Sequence, residues 1–232
     1  MRYEKIDYIK GFLIIVMILF HFNYVLQNIF YLGTGISPVF LRFVQILWWG
    51  MFIWLSGLCF AISLKKHWDD ISKVYLKKIV ILALISIMIS LVTYYFINSE
   101  FIVFWIIHFF TLWFLFLLFF RKFRYYNFPI WILFIIIWNI IWNMVFWIKF
   151  LFWLWLTYDW FYSADYYAIL PWFWVMLLWY SLWLLLIEKD LMGKVFSGKI
   201  KYFWSLEFLG RYSLVIYIIH VPIIYFGLKL FI

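Results

Sequence analysis

The sequence predicts an all-α polytopic membrane bundle of about seven transmembrane helices, and three observations carry that expectation. Of the 232 residues, 70% are hydrophobic and 12% charged, a balance that leaves too little polar surface for a soluble domain. The apolar residues come in runs near the roughly 20 needed to cross a bilayer as helix, whereas a barrel would show short alternating segments. The cations gather on alternate connections between those runs, as cytoplasmic loops do.

The first span, 6–31, follows Arg2, Lys5 and Lys10 and is too long for a signal-peptide core. With no small-residue cleavage site after it, it is expected to stay as an anchor. Glu4 and Asp7 suit the positive end of its dipole, and its outer half holds His21 and Asn23. The second, 39–64, carries Arg42 and Gln45 near its outer end and the single cysteine, Cys59, which has no intrachain partner. The third, 76–98, has Ser86 and Ser90 four apart; the fourth, 101–120, has His108 and Thr111. The fifth, 128–148, pairs Asn139 with Asn143, and both this pair and the serines read as interhelical hydrogen-bonding groups. The Trp- and Tyr-rich stretch 149–164 reads as an interfacial loop or short helix. The sixth span, 165–188, opens on Asp165 as an N-cap and kinks at Pro171. In the seventh, 206–230, Ser213, Tyr217 and His220 share a face that leads back toward Arg211. No linker or repeat interrupts the series, so 1–232 is expected to form a single transmembrane domain.

Orientation follows from the positive-inside rule. Arg2, Lys5, Lys10, the five lysines of 65–78, Arg121, Lys122, Arg124, the four lysines of 189–201 and Arg211 fall on one face; Arg42, Lys149 and Lys229 fall on the other. The N-terminus is expected in the cytoplasm and the C-terminus outside. The net charge of +9 is mostly this asymmetry and needs no nucleic acid partner.

With about 1.5 Å of rise per residue, His21 and His220 lie about 22 and 21 Å from the inner face, and His108 about 10 Å from the outer one. All three fall in the outer half of the membrane. An ionisable side chain there needs a partner or a wet cavity, so three at one depth mark a candidate site, against the plainer reading of interhelical hydrogen bonds. Arg42 reads equally as an interface anchor or an anion clamp, Asp165 as a cap or a site residue, and the seventh-span face as a polar track or a packing seam. His67, among Lys65, Lys66 and Asp69, is a solvated loop residue. All ten carboxylates sit at segment ends or in loops, which argues against a midplane proton relay. There is no nucleophile elbow, Walker loop, dinucleotide fingerprint or zinc-protease motif, and no metal is expected.

The segments RYEKIDYIKGFLIIVMILFHF, FIWLSGL, FIVFWIIH, DYYAILPW and FLGRYSLVIYIIHVP occur in that order. They resemble the bacterial membrane proteins related to heparan-alpha-glucosaminide N-acetyltransferase, across nearly the whole chain, with the first and last segments the specific ones. The resemblance implies a multi-pass plasma-membrane acyltransferase that takes its acyl group from cytoplasmic acetyl-CoA or another acyl-CoA. The acceptor would be a hydroxyl or amine of a glycan or lipid at the outer half of the membrane. It makes His21 and His108 candidate bases and His220 a site-lining residue. The donor end falls to Arg211 and Asp7, with Lys10 and Ser213 beside them; Arg42, Gln45, Asn23, Asp165 and Tyr217 are the expected acceptor-side residues. Tyr24, Val25 and Leu26 stand where an acidic residue is usual, and Trp105 and Trp179 where glycine is expected. A homo-oligomer is left open.

The mechanism expected from these residues is direct transfer, with a neutral imidazole taking the acceptor's proton as it attacks the thioester carbonyl. An unperturbed imidazole, with a pKa near 6.5, is largely neutral at pH 7. Two other classes fit the histidines: a haem protein with two of them as axial ligands, and a transporter in which the polar track conducts.

Overall fold

In the computed structural model, residues 4–96, 102, 104–141, 154, 169–192, 196 and 204–231 are described. Eight α-helices account for most of them: α1 (Glu4–Asn28), α2 (Pro38–Lys66), α3 (Ile71–Phe96), α4 (Ile106–Phe120), α5 (Asn127–Ile141), α6 (Ile169–Glu188), α7 (Trp204–Arg211) and α8 (Ser213–Lys229). A 3₁₀ turn, Arg121–Tyr126, joins α4 to α5. The all-α class is as expected, and no strand occurs among the described residues.

Among the described residues, four helical runs are long and apolar enough to cross a membrane: Glu4–Asn28, Pro38–Lys66, Ile71–Tyr95 and Ile106–Ile140; α7 with α8 makes a fifth if that bent pair is one span. The seven-span count rested on 101–120 and 128–148 as separate crossings and on 165–188. The structure makes α4 and α5 fifteen residues each, around a turn in which Arg124 takes φ 45° and ψ −111°. Residues 142–153 and 155–168, with Asn143, Lys149 and Asp165, lie outside the described residues. The last expected span is broken: α7 and α8 meet at an angle of 89° across Tyr212.

The chain divides into two compact units, 1–55 with 191–232, and 56–190. In the first, α1 packs on α7 and α8. Two glycines permit the α1–α7 crossing. A Cβ on Gly11 would overlap the carbonyl of Leu206, and one on Gly210 the carbonyl of Asp7. In lipid there is little hydrophobic drive between helices, so backbone approach of this kind supplies the van der Waals contact instead. Further along, the His21 and Tyr225 levels of the pair are set by ring contacts from α8: His220 meets His21, and Tyr225 meets Phe30. Since 220 meets 21 and 225 meets 30, α8 runs in the same direction as α1. Trp48 of α2 closes the packing, donating from Nε1 to the Leu13 carbonyl at 3.0 Å.

In the second unit α4 packs on α3 and α6, and α5 on α6. Phe60, Tyr75, Phe114 and Tyr180 form a chain of edge-to-face rings at 4.7–5.4 Å, and Phe134 stacks on Trp174. The turn after α4 is tied down by polar contacts. Arg121 donates to Ser72, Arg124 pairs with Glu188, and the hydroxyls of Tyr180 and Ser181 reach the carbonyls of Arg121 and Arg124. Large apolar side chains on the other face of α3, among them Val80, Leu84, Ile87 and Leu91, are exposed, which suits a lipid-facing surface.

Candidate active site

His21 sits on α1 and His220 on α8, with ring centroids 4.7 Å apart and planes at 79°. Trp48 flanks His21 at 6.1 Å. Each ring is oriented by its own helix: His21 Nδ1 lies 3.0 Å from the Met17 carbonyl and His220 Nδ1 2.8 Å from that of Tyr217. A carbonyl only accepts, so both Nδ1 atoms carry hydrogen, and in the neutral rings both Nε2 atoms keep their lone pairs. His220 is 4% exposed, and its Nε2 has no hydrogen-bond partner among the described residues. A buried acceptor without a donor is costly in a resting protein, and a catalytic role is one of the reasons such an atom is kept. Edge-to-face contact leaves no room for a porphyrin plane between these two rings, so the pair does not suit axial ligation of a haem.

The ends of α1 and α2 border a partly open pocket of about 210 Å³. Among its lining residues are three of the expected acceptor-side residues, Asn23, Arg42 and Gln45. Asn23 is buried and Arg42 exposed. Asn23 donates to Gln27 at 3.3 Å, and Gln27 to Thr34 at 2.6 Å. Tyr217, the fourth, is buried on α8 and holds His220 through its carbonyl. Asp165 lies outside the described residues.

His108 belongs to the second unit and is bonded differently. As the third residue of α4 it accepts at Nδ1 the backbone N–H of Trp105, the N-cap, at 3.1 Å. Its Nε2 lies 3.1 Å from the Ser90 hydroxyl, which donates onward to the Ile102 carbonyl at 3.0 Å. Both nitrogens are therefore engaged, one as acceptor and the other as donor, in closing the start of α4.

At the expected donor end, Asp7 is buried where α1 crosses α7, and Lys10 lies one turn on. Arg211 ends α7 and pairs with Glu207, whose side chain is buried while that of Arg211 is half exposed. Ser213 begins α8. The face shared by Ser213, Tyr217 and His220 does not continue to Arg211, because the 89° bend at Tyr212 intervenes. The polar track read from the sequence is therefore interrupted there.

A family model described as heparan-alpha-glucosaminide N-acetyltransferase, catalytic, matches residues 2–222. The chain belongs to this family. It is thus an integral membrane protein and an acetyltransferase by family. No curated protein and no solved structure matches it.

Within this member of the heparan-alpha-glucosaminide N-acetyltransferase family, the sequence reading passed over three groups. Gly11 and Gly210 sit inside the two most specific segments, and the α1–α7 crossing requires both; a glycine on each partner motif was the available signal. Trp48 offered none, since eighteen tryptophans dilute any one of them. Glu207 looked like an end-of-span carboxylate, yet it is 4% exposed and anchors Arg211. Trp105, in place of an expected glycine, is buried at the N-cap that His108 closes.

Proposed function

We propose that this acetyltransferase moves an acetyl group from acetyl-CoA, presented on the cytoplasmic side, to a hydroxyl or amine of a glycan or lipid at the outer half of the membrane. The observation that carries the reading is the lone Nε2 of His220, buried beside His21. An acceptor O–H or N–H entering there would supply the missing donor, and the same hydrogen bond becomes the path by which its proton passes to Nε2 as the acceptor attacks the thioester carbonyl; the tetrahedral adduct then breaks its C–S bond, and the departing coenzyme A thiolate takes that proton back from the imidazolium. His21 packs against His220 with its own Nε2 lone pair, so either ring can act as the base while the other shares the developing charge. The carbonyls of Met17 and Tyr217 hold both rings in the tautomer this requires.

At the donor end, Arg211 is the fitting group for a phosphate of the thioester carrier: its guanidinium is half exposed, and buried Glu207 fixes its direction. Lys10 adds charge on the neighbouring helix, Asp7 supports the crossing on which both depend, and Ser213 offers a hydroxyl beyond the bend. His108, with both nitrogens engaged, acts in this reading by ordering α4.

Acetyl transfer from radiolabelled acetyl-CoA to amine- and hydroxyl-bearing sugars in proteoliposomes tests the proposal. It expects transfer by the intact protein and its loss in His220→Ala and His21→Ala at unchanged folded yield. Full transfer by both variants would refute it.

A further inference from the structure

We propose that Trp48 is a positioning residue for His21, holding its imidazole at the angle from which Nε2 can serve in proton transfer. This rests on the acyl-transfer reading and adds to it a residue of α2 that acts through the base.

Successive turns of α1 present Leu13, Met17 and His21 on one face, four residues apart. Two of their carbonyls take a side-chain N–H in addition to the helical one. Leu13 accepts from Trp48 Nε1 at 3.0 Å, and Met17 from His21 Nδ1 at 3.0 Å. A helical side chain leans back toward the start of its helix, so the imidazole and the indole are fastened to neighbouring turns. Their ring centroids lie 6.1 Å apart, with planes at 80°.

One hydrogen bond does not fix an imidazole. The torsion at the ring is broad and roughly two-fold, and a turned ring puts a carbon where Nδ1 was and carries Nε2 elsewhere. Packing must supply the second restraint. His220 gives one side at 4.7 Å but is itself a partner in the proton transfer, and Phe20, at 5.5 Å, is the neighbour of His21 in sequence. Trp48 differs from both. It is 5% exposed, comes from another helix, is tied by its N–H to the backbone that carries His21, and is backed by Phe52 at 5.4 Å. The wall beside the imidazole is therefore fixed to the same helix as the imidazole. A small misplacement of a reacting group is costly in rate, so an indole with no proton to give the substrate still sets kcat.

The test reads ring and rate separately. Nitrogen NMR of full-length protein in nanodiscs, with isotope-labelled histidines assigned by single His→Ala variants, reports each tautomer without any transfer. The unaltered protein is expected to show His21 as one species with hydrogen on Nδ1. Trp48→Leu should divide His21 between tautomers and leave His108, in the second unit, unchanged. In transfer from acetyl-CoA to glucosamine, Trp48→Leu should lower kcat per folded protein about tenfold or more, with both KM values little changed. Trp48→Phe, which keeps a ring but loses the N–H, should fall between, and carries both measurements if Trp48→Leu does not fold. Trp113→Leu is the packing control. Trp113 is fully buried in the second unit, and its Nε1 has no hydrogen-bond partner among the described residues, so its loss should lower the thermal midpoint without changing kcat per folded protein. A single His21 tautomer in Trp48→Leu, a raised KM at constant kcat, or an equal loss of kcat in Trp113→Leu would each overturn the proposal. Full transfer by His21→Ala would instead overturn the base reading, and the tautomer measurement is independent of it.

Discussion

His220 and His108 are the same residue type, each on an apolar helix, and the structure gives them opposite hydrogen-bonding states. His108 accepts at Nδ1 from the Trp105 N–H and meets the Ser90 hydroxyl at Nε2, so its capacity is spent on a helix end. His220 donates at Nδ1 to a carbonyl of its own helix, and its Nε2 is left buried and unmet. Burial alone therefore does not make a histidine a base. What matters is which nitrogen the backbone takes, because that choice leaves either a free lone pair or none.

The largest expected effect breaks the comparison from the His220 side. Replacing His220 or His21 with Ala should lower acetyl transfer by about 100-fold or more, the usual worth of a general base, with the thermal midpoint in detergent little changed. A loss of less than tenfold in both would remove the distinction. A second test concerns the scaffold that brings α8 to α1. Gly210→Leu forces a side chain into the Asp7 carbonyl, and should cost more than the roughly 1–3 kcal/mol of ordinary overpacking, seen as lost folded yield and a lower midpoint. Gly227→Leu, where a Cβ meets open space, is the matched control and should be near neutral.

Smaller effects sharpen the other side. His108→Ala should destabilise the protein by about 1 kcal/mol, as loss of a helix cap does, while transfer by the folded fraction stays within about tenfold. His108→Asn, which keeps an acceptor near the cap, should recover part of the midpoint. A fall in transfer as deep as that of His220→Ala at unchanged stability would return His108 to the base role. Ser90→Ala removes a single hydrogen bond to the ring and should cost about 0.5–1.5 kcal/mol, with activity unchanged; it is the finest of these measurements.

Much of the helical series was legible because periodicity is unnecessary for a span: a run of apolar residues of sufficient length suffices. α1, α2 and α3 lie close to their expected limits for that reason. The break at Tyr212 was not legible, since the residues around it, LGRYSLV, contain no proline and read as one continuous helix. The break falls just after α7 docks on α1 at Gly11 and Gly210, a contact between positions about two hundred residues apart that no local pattern announces. The seam of Ser213, Tyr217 and His220 followed from helical spacing; its supposed extension to Arg211 failed with the bend. Asn23, Arg42 and Gln45 were separately noticeable as polar residues in apolar spans, and all three line one pocket.

Composition and order of residues by themselves determined an all-α membrane protein, and the two end motifs pointed to its family, because length and hydropathy act locally and need no partner. Tertiary structure decided which histidines meet and which nitrogen each exposes. Those depend on carbonyls and glycine contacts supplied by other segments and on a bend in the chain, and no local pattern in the chain encodes a lone pair's neighbour.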